Sequence, residues 1–265
     1  MSGFSADWLR LREPVDLAAR NGQVEDVFLA ALPGGAVRLM DLASGAGSTV
    51  AALSGRLAVS QDWLLTDNDP ALLAVSRQRF SQFGKGAVEC RQVDLSAALA
   101  SLPFAGVDGV TTSAFLDLVT RPFLEQLVAL VTEARLPFLA SLTYDGRASC
   151  RPADPFDEDI RLAMNAHQKT DKGFGAALGP DAADAARALF EAAGYKVVSG
   201  RSDWHAGSGA EAFQRELVSG WVSAGSEMGL DPERLTLWLD RRMEQISEGE
   251  LMIEVGHLDI AAIPA

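Results

Sequence analysis

Residues 37–50, VRLMDLASGAGSTV, constrain the fold more than any other part of the chain. A short apolar run ends at Asp41, a turn of small residues around Gly45 and Gly47 follows, and a helical stretch begins at Ser48. Glycines let a backbone approach a ligand closely, and the free amides of a helix start favour electron-rich groups. A lone glycine turn is weak support for a ligand site, because βα turns that bind nothing also contain it. The residues that follow decide the interpretation.

Strand-like apolar runs alternate with helical patterns after this turn. The predicted strands are residues 37–42, 63–66, 88–93, 107–112, 138–144, 195–199 and 251–261. This alternation predicts an α/β fold with a doubly wound, mostly parallel sheet of seven strands, covered by helices on both faces. In such sheets ligands bind beyond the carboxyl ends of the strands.

Charge and composition exclude several classes of partner. The formal net charge is −13 and the pI is near 4.6, so the surface repels phosphate backbones and nucleic acid is not expected as a partner. No signal peptide and no apolar run of membrane-spanning length is visible, so no membrane partner is expected. Cys90 and Cys150 match no metal or disulfide spacing and fit a reducing cytoplasm. We therefore expect a cytoplasmic protein without a metal; the oligomeric state cannot be deduced from the sequence.

Polar groups follow the first four predicted strands. They are Asp41 with the glycine turn, Asp67-Asn68, Asp94-Leu95, and Ser113. A carboxylate after the second strand can accept two hydrogen bonds from a ribose diol, and one after the third can accept a bond from an exocyclic amine. The glycines allow a charged tail to lie along the backbone. Together these groups describe a site for an adenosine that carries a polar tail. Asp69, before Pro70, is expected only to cap a helix.

The stretches MDLASGAGS, LLTDNDPALL, QVDL and DGVTTSAFLDLV resemble successive motifs of the class I S-adenosylmethionine-dependent methyltransferases. The resemblance covers roughly residues 37–144 and implies a Rossmann-like methyltransferase fold whose last strand is antiparallel. It also implies S-adenosylmethionine as cofactor, with the ribose on Asp67, the adenine on Asp94 and the Leu95 amide, and Ser113 beside the methionine end. The full implied cofactor set is Asp41, Ala43, Ser44, Gly45, Gly47, Asp67, Asn68, Asp94, Leu95 and Ser113. One departure is that Ala114 and Asp117 stand where many relatives have Asn and His.

We expect a single domain over residues 1–265, in four parts. These are N-terminal helices (1–36), a cofactor-binding half (37–144), an inserted lid or cap (145–179), and a C-terminal half of the sheet with a helical pair (180–265). Pro14 is expected to interrupt the first helix, over residues 5–20. The insertion is long and rich in Gly, Pro and Asp, which suits a lid better than a simple connection.

The predicted activity is methyl transfer from S-adenosylmethionine to a small-molecule acceptor by in-line displacement. Tyr144 and His167 are the candidate catalytic residues, with His167 as a possible general base because its ordinary pKa lies near working pH. A hydrogen bond within the insertion is the alternative role for His167. Two other functions stay open: an NAD(P)-dependent Rossmann oxidoreductase, although Val50 replaces its third glycine, and a non-catalytic S-adenosylmethionine-binding protein.

Overall fold

Helices and strands alternate along residues 5–265, the part of the chain that the computed structural model describes; residues 1–4 of the predicted N-terminal segment lie outside it. The strands are β1 (Val37–Leu42), β2 (Gln61–Asp67), β3 (Val88–Gln92), β4 (Gly109–Ser113), β5 (Phe138–Arg151), β6 (Tyr195–Arg201), β7 (Trp204–Ala206) and β8 (Met252–Pro264). The helices are α1 (Ala6–Ala19), α2 (Gly22–Ala30), α3 (Ser48–Leu53), α4 (Pro70–Arg79), α5 (Leu95–Ala98), α6 (Arg121–Glu133), α7 (Asp157–Gln168), α8 (Ala182–Ala192), α9 (Glu211–Glu227) and α10 (Pro232–Ser247). Within residues 5–265, none of these helices has the length and apolar character needed to cross a membrane.

The strands form one mixed sheet in the order β3-β2-β1-β4-β5-β8-β6. The first five strands run parallel to one another, and β8 runs antiparallel to both β5 and β6. The short strand β7 pairs with the beginning of β8. The predicted doubly wound, mostly parallel sheet with an antiparallel last strand is confirmed. The carboxyl ends of β1 to β5 therefore meet at one edge of the sheet.

Local signals explain where several helices begin. The Asp69 carboxylate accepts a hydrogen bond from the backbone N–H of Ala71 at 2.7 Å, and Pro70 occupies the first helical position of α4. This confirms the predicted cap. The predicted interruption at Pro14 is wrong, because α1 continues through it from Ala6 to Ala19. A proline removes one N–H donor, and packing of the helix can offset that loss.

Apolar side chains form a core on each face of the sheet. One face buries Phe138 and Leu42 against α6 and α8, and the other buries Leu39 and Trp63 against α2 and α3. Burial on both faces explains why β1 reads as a nearly continuous apolar run. The sheet is thereby fixed as a rigid platform whose strand ends carry the polar groups.

A third core lies beyond the carboxyl edge of the sheet, and we call the unit around it the cap. It consists of residues 143–151 of β5, the start of β8, β7, α7, α9 and α10. The fifth strand was predicted over residues 138–144, but β5 continues to Arg151 because it pairs with β8 as far as Met252. The predicted boundary at residue 145 thus falls inside a strand. The cap is built from segments far apart in the sequence, and not from residues 145–179 alone.

Candidate functional site

The turn after β1 has a backbone that only a few residue types adopt easily. Ala43, Gly45 and Gly47 have φ angles of 51°, 53° and 81°, in the left-handed region. A Cβ atom on Gly47 would lie 2.5 Å from the Phe80 ring, so this position requires glycine. The Ser44 N–H donates to the carbonyl oxygen of Thr66 at 2.9 Å, which ties the turn to β2.

One polar atom of the same turn has no partner among residues 5–265. The Ser44 hydroxyl oxygen is buried and makes no hydrogen bond. Buried polar atoms in native proteins are nearly always hydrogen-bonded, so an unpaired one marks a place where a ligand can complete the bonding. This fits a ligand with polar groups lying along the glycine turn.

Asp67, at the end of β2, is buried and holds the turn in place. One carboxylate oxygen accepts from the Gly45 N–H at 2.8 Å, and the other accepts from the Asp69 N–H at 2.9 Å. Burial raises the pKa of Asp67, and these two backbone hydrogen bonds oppose the rise. Each oxygen keeps a second lone pair, so Asp67 can still accept from a diol. The sequence did not indicate that Asp67 also supports the turn.

Asp41 lies beneath the turn, between β1 and β4. Its carboxylate accepts from the Thr111 hydroxyl at 2.7 Å and is almost fully buried. Burial raises the pKa of Asp41 to about 7, whereas the Thr111 hydroxyl and the positive charge of Arg20 act in the opposite direction. Asp41 therefore links β1 to β4 inside the sheet, directly before the glycine turn.

The predicted adenine side lies at the ends of the neighbouring strands β2 and β3. Asp94 caps α5 by accepting from the Ser96 N–H at 3.0 Å, and its side chain is exposed. The Leu95 side chain is buried in the core, and Asn68 is exposed beside Asp67. The structure brings Asp67, Asn68 and Asp94 to one edge because β2 pairs in register with β3.

Arg20, at the end of α1, contacts the last residue of β4 and the neighbouring residue of β5. Its guanidinium donates to the Ser113 hydroxyl at 3.2 Å and to the Ser141 hydroxyl at 3.1 Å. The side chain is 4% exposed and lies 3.5 Å from the Glu25 carboxylate. Ser113, predicted at the methionine end, is thus paired with a buried cation. No local sequence signal indicated Arg20, because it lies 93 residues from Ser113.

Helix α1 lies across the glycine turn. The Leu9 side chain is 3.3 Å from the position that a Cβ of Gly45 would take. Glu13 forms an ion pair with Arg79 of α4 at 2.7 Å. The sequence predicted a helix here, but only the structure shows that it covers the turn.

The two predicted catalytic residues have hydrogen-bond partners within the cap. The Tyr144 hydroxyl donates to the Asn165 side-chain oxygen at 2.7 Å, and burial raises its pKa, so it stays protonated. His167 lies 3.1 Å from the Glu227 carboxylate, and the Lys172 ammonium lies 3.2 Å from its other ring nitrogen. Tyr144 is buried, whereas His167 is partly exposed. Their catalytic roles stay predictions.

Asp117 was not among the predicted site residues, although the sequence singled it out as a departure from the resembled family. It lies in a short 3₁₀ turn after β4 (Leu116–Leu118) and is 6% exposed. One carboxylate oxygen, Oδ1, is buried and has no hydrogen-bond partner in the part of the chain that the structure describes. Burial raises the pKa of Asp117 to about 6, against the positive charges of Arg12 and Lys172. The signal that could have found Asp117 was an acidic residue in the turn after a buried strand.

The other polar clusters give no metal centre. Among residues 5–265 there is no group of three or more His, Cys, Asp or Glu side chains placed to hold a metal ion. His257 is buried against the Trp204 ring, and its Nδ1 lies 3.1 Å from the carbonyl oxygen of Val255.

Solved structures share this arrangement of strands, whereas no family model and no curated protein matches the sequence. The YcgJ protein from Bacillus subtilis aligns with a TM-score of 0.52 and 13% identity, over 91% of this chain and 98% of that one. The cyclopropane synthase MmaA2 from Mycobacterium tuberculosis aligns with a TM-score of 0.51 and 11% identity, over 98% and 94%. The mycolic acid cyclopropane synthase CmaA1, complexed with SAH and CTAB, aligns with a TM-score of 0.51 and 11% identity, over 97% and 94%.

The chain has the Rossmann-like methyltransferase fold. At these identities the likeness establishes the fold, and the activity has to be argued from the site.

Proposed function

We propose that the protein transfers a methyl group from S-adenosylmethionine to a small-molecule acceptor by in-line displacement. The observation that supports this most is the hydrogen bond from Gly45, in the left-handed glycine turn after β1, to the Asp67 carboxylate at the end of β2. Its carboxylate retains acceptor capacity for a ribose diol, and the unpaired Ser44 hydroxyl lies in the same turn. The presence of SAH in the CmaA1 structure, which shares the fold, is consistent with this cofactor.

In this proposal successive strand ends bind different parts of the cofactor. In this proposal Asp67 binds the ribose, Asp94 and the Leu95 amide bind the adenine, and Ser113 lies at the methionine end. The remaining residues of the proposed site form the glycine turn and its flanks: Asp41, Ala43, Ser44, Gly45, Gly47 and Asn68.

When bound, S-adenosylmethionine supplies an already activated methyl group. The protein then has to align the acceptor with the methyl–sulfur bond and exclude water. The cap continues from β5 beyond the end of β4 and has an apolar core of its own, and in this proposal it covers the acceptor. Tyr144 and His167 are proposed to face the acceptor from this side. The net charge of −13 disfavours a large polyanion as acceptor.

The sheet order argues against the nicotinamide alternative. The common dinucleotide-binding order is 3-2-1-4-5-6, in a mostly parallel sheet. Here the antiparallel strand β8 separates β5 from β6. This favours a methyltransferase over an oxidoreductase.

A two-part experiment tests the proposal. Titration calorimetry of the purified protein with SAH and with NADH identifies the cofactor, and radiolabelled methyl transfer from S-adenosylmethionine to fractionated small-molecule extract identifies turnover. We expect binding of SAH, no binding of NADH, and label in a small-molecule fraction. Binding of NADH alone would indicate an oxidoreductase, and binding of SAH without any transfer would indicate a non-catalytic binding protein.

A further inference from the structure

The Asp117 carboxylate lies near the strand ends, and the proposed cofactor site does not use its chemistry. Its own backbone N–H bonds to the side chain, while Oδ1 is buried and has no hydrogen-bond partner among residues 5–265. Burying an unpaired carboxylate oxygen is unfavourable. Such an atom is expected where a bound ligand supplies the missing donor.

Charged and titratable groups on three elements interact electrostatically with Asp117. They are Arg12 on α1, Tyr144 on β5 and Lys172 in the turn after α7. These groups have partners of their own. Arg12 binds Asp16 at 2.9 Å, and Lys172 donates to the Thr170 hydroxyl at 3.1 Å.

Two titratable residues of the cap lie beside Lys172. They are His167 of α7 and Glu227 of α9, which lie 3.1 Å from each other. Arg12 and Lys172 are therefore each engaged with other partners, and Oδ1 of Asp117 has no hydrogen-bond donor among residues 5–265.

Asp117 lies at the junction of the sheet and the cap. The preceding residue in the turn, Leu116, and Phe115 pack in the core of the sheet, whereas Tyr144 belongs to the core of the cap. Asp117 follows Ser113 by four residues, so it lies just beyond the strand end assigned to the methionine part of the cofactor. An acceptor held between sheet and cap would meet this carboxylate.

We propose that Asp117 is the catalytic base of the methyl transfer, and that the acceptor is a small molecule methylated on a hydroxyl or amine group that carries a proton. This inference rests on the proposed function. A lone pair of the acceptor oxygen or nitrogen forms the bond to the methyl carbon while the carbon–sulfur bond breaks and its electrons stay on sulfur. The acceptor proton passes to Asp117 Oδ1 and then to solvent. The pKa of about 6 leaves Asp117 mostly ionised at neutral pH, as a base requires.

Sinefungin provides a test that needs no knowledge of the acceptor. It is an analogue of the cofactor with an amine in place of the methyl sulfonium group, so its positive charge lies where the reacting methyl would be. A carboxylate facing that position should strengthen binding of sinefungin relative to SAH. We compare the Kd values of both ligands by calorimetry for the wild type, Asp117→Asn and Asp117→Ala. The matched control is Asp184→Asn, an exposed aspartate on α8.

We expect Asp117→Asn and Asp117→Ala to lose about tenfold or more in sinefungin affinity while SAH affinity changes less than about twofold. In the wild type, the preference for sinefungin should decrease below pH 6 as Asp117 is protonated, and it should not change with pH in Asp117→Asn. Equal losses for both ligands, or an unchanged preference in both variants, would overturn the assignment of Asp117 while leaving the cofactor proposal intact. If the wild type binds neither ligand, the proposed function fails and this inference fails with it.

Discussion

Replacement of Asp67 by alanine separates the two roles that the structure gives this residue. The carboxylate accepts from the N–H groups of Gly45 and Asp69 at 2.8 and 2.9 Å, and in the proposed function it also binds the ribose diol. Alanine leaves both N–H groups without this acceptor. It also removes the charged acceptor from the cofactor site. We therefore expect two measurable losses, one in folding and one in binding.

The size of each loss follows from the number of hydrogen bonds. Leaving buried backbone donors unsatisfied costs about 1–3 kcal/mol. We place the fall in the free energy of unfolding of Asp67→Ala at about 1–2 kcal/mol, because Gly45 and Asp69 are only partly buried and water can replace the carboxylate. Burial of the Asp67 carboxylate is itself unfavourable, as the raised pKa of this group shows, so its removal offsets part of the loss. Loss of the charged acceptor for the ribose should weaken SAH binding by about 1.5–3 kcal/mol, or roughly 10- to 150-fold in Kd.

Asp69→Ala is the matched control for this measurement. It removes a neighbouring carboxylate that caps α4 through the Ala71 N–H at 2.7 Å. We expect a loss of about 1 kcal/mol in the free energy of unfolding and an unchanged affinity for SAH. Urea denaturation gives the free energy of unfolding of each variant, and titration calorimetry gives its affinity for SAH. If Asp67→Ala weakens SAH binding no more than Asp69→Ala does, the ribose is not bound at Asp67 and the reasoning is wrong.

Three further predictions address the turn, the cap and the buried histidine. Gly47→Ala should lower the free energy of unfolding by roughly 1–3 kcal/mol, because φ is 81° and the new Cβ meets the Phe80 ring at 2.5 Å. Gly55→Ala is the control, since its Cβ would lie in open space, and it should change the free energy of unfolding by less than about 1 kcal/mol. Urea denaturation measures both variants. Phe174→Ala should lower it by roughly 1–3 kcal/mol, because two edge-to-face ring contacts are lost; an unchanged value would mean that the turn after α7 is not docked on the sheet. Burial lowers the pKa of His257 to about 3, so the unfolded chain binds a proton near pH 6.5 that the folded protein does not. The free energy of unfolding of the wild type should therefore fall relative to that of His257→Gln as pH decreases from 6.5 towards 3. A difference between the two proteins that stays constant across that range would contradict the burial of a neutral ring.

The platform of the fold could be predicted from the sequence because its signals are local. The apolar run of β1, the glycine turn and the helix start are adjacent in the chain, and the structure places them as predicted. Asp69 and Pro70 fix the start of α4 through a bond that spans two residues. The parallel order of the strands follows from alternation, since each crossover helix has to return the chain to the same edge.

The acceptor side depends on contacts between residues far apart in the chain. The buried residues of α1 are the charged Arg12 and Asp16, and Asp16 also accepts from the Trp204 indole at 2.9 Å. Residues 188 positions apart have no periodic pattern that links them. The hydrogen bond from Arg20 to Ser113 likewise joins residues that are far apart in the chain.

The sequence alone determined the sheet, its glycine turn and the order of polar groups at the strand ends, because each depends on residues within one or two elements. Only the tertiary structure decided the cap, because antiparallel pairing of β8 with β5 as far as Arg151 brings β7, α7, α9 and α10 around one core. It also decided the environment of Asp117. The Asp117 carboxylate is buried because β5, α8 and the turn at Gly179–Asp181 pack against the turn that holds it, and that packing is not a property of the residues next to Asp117 in the chain.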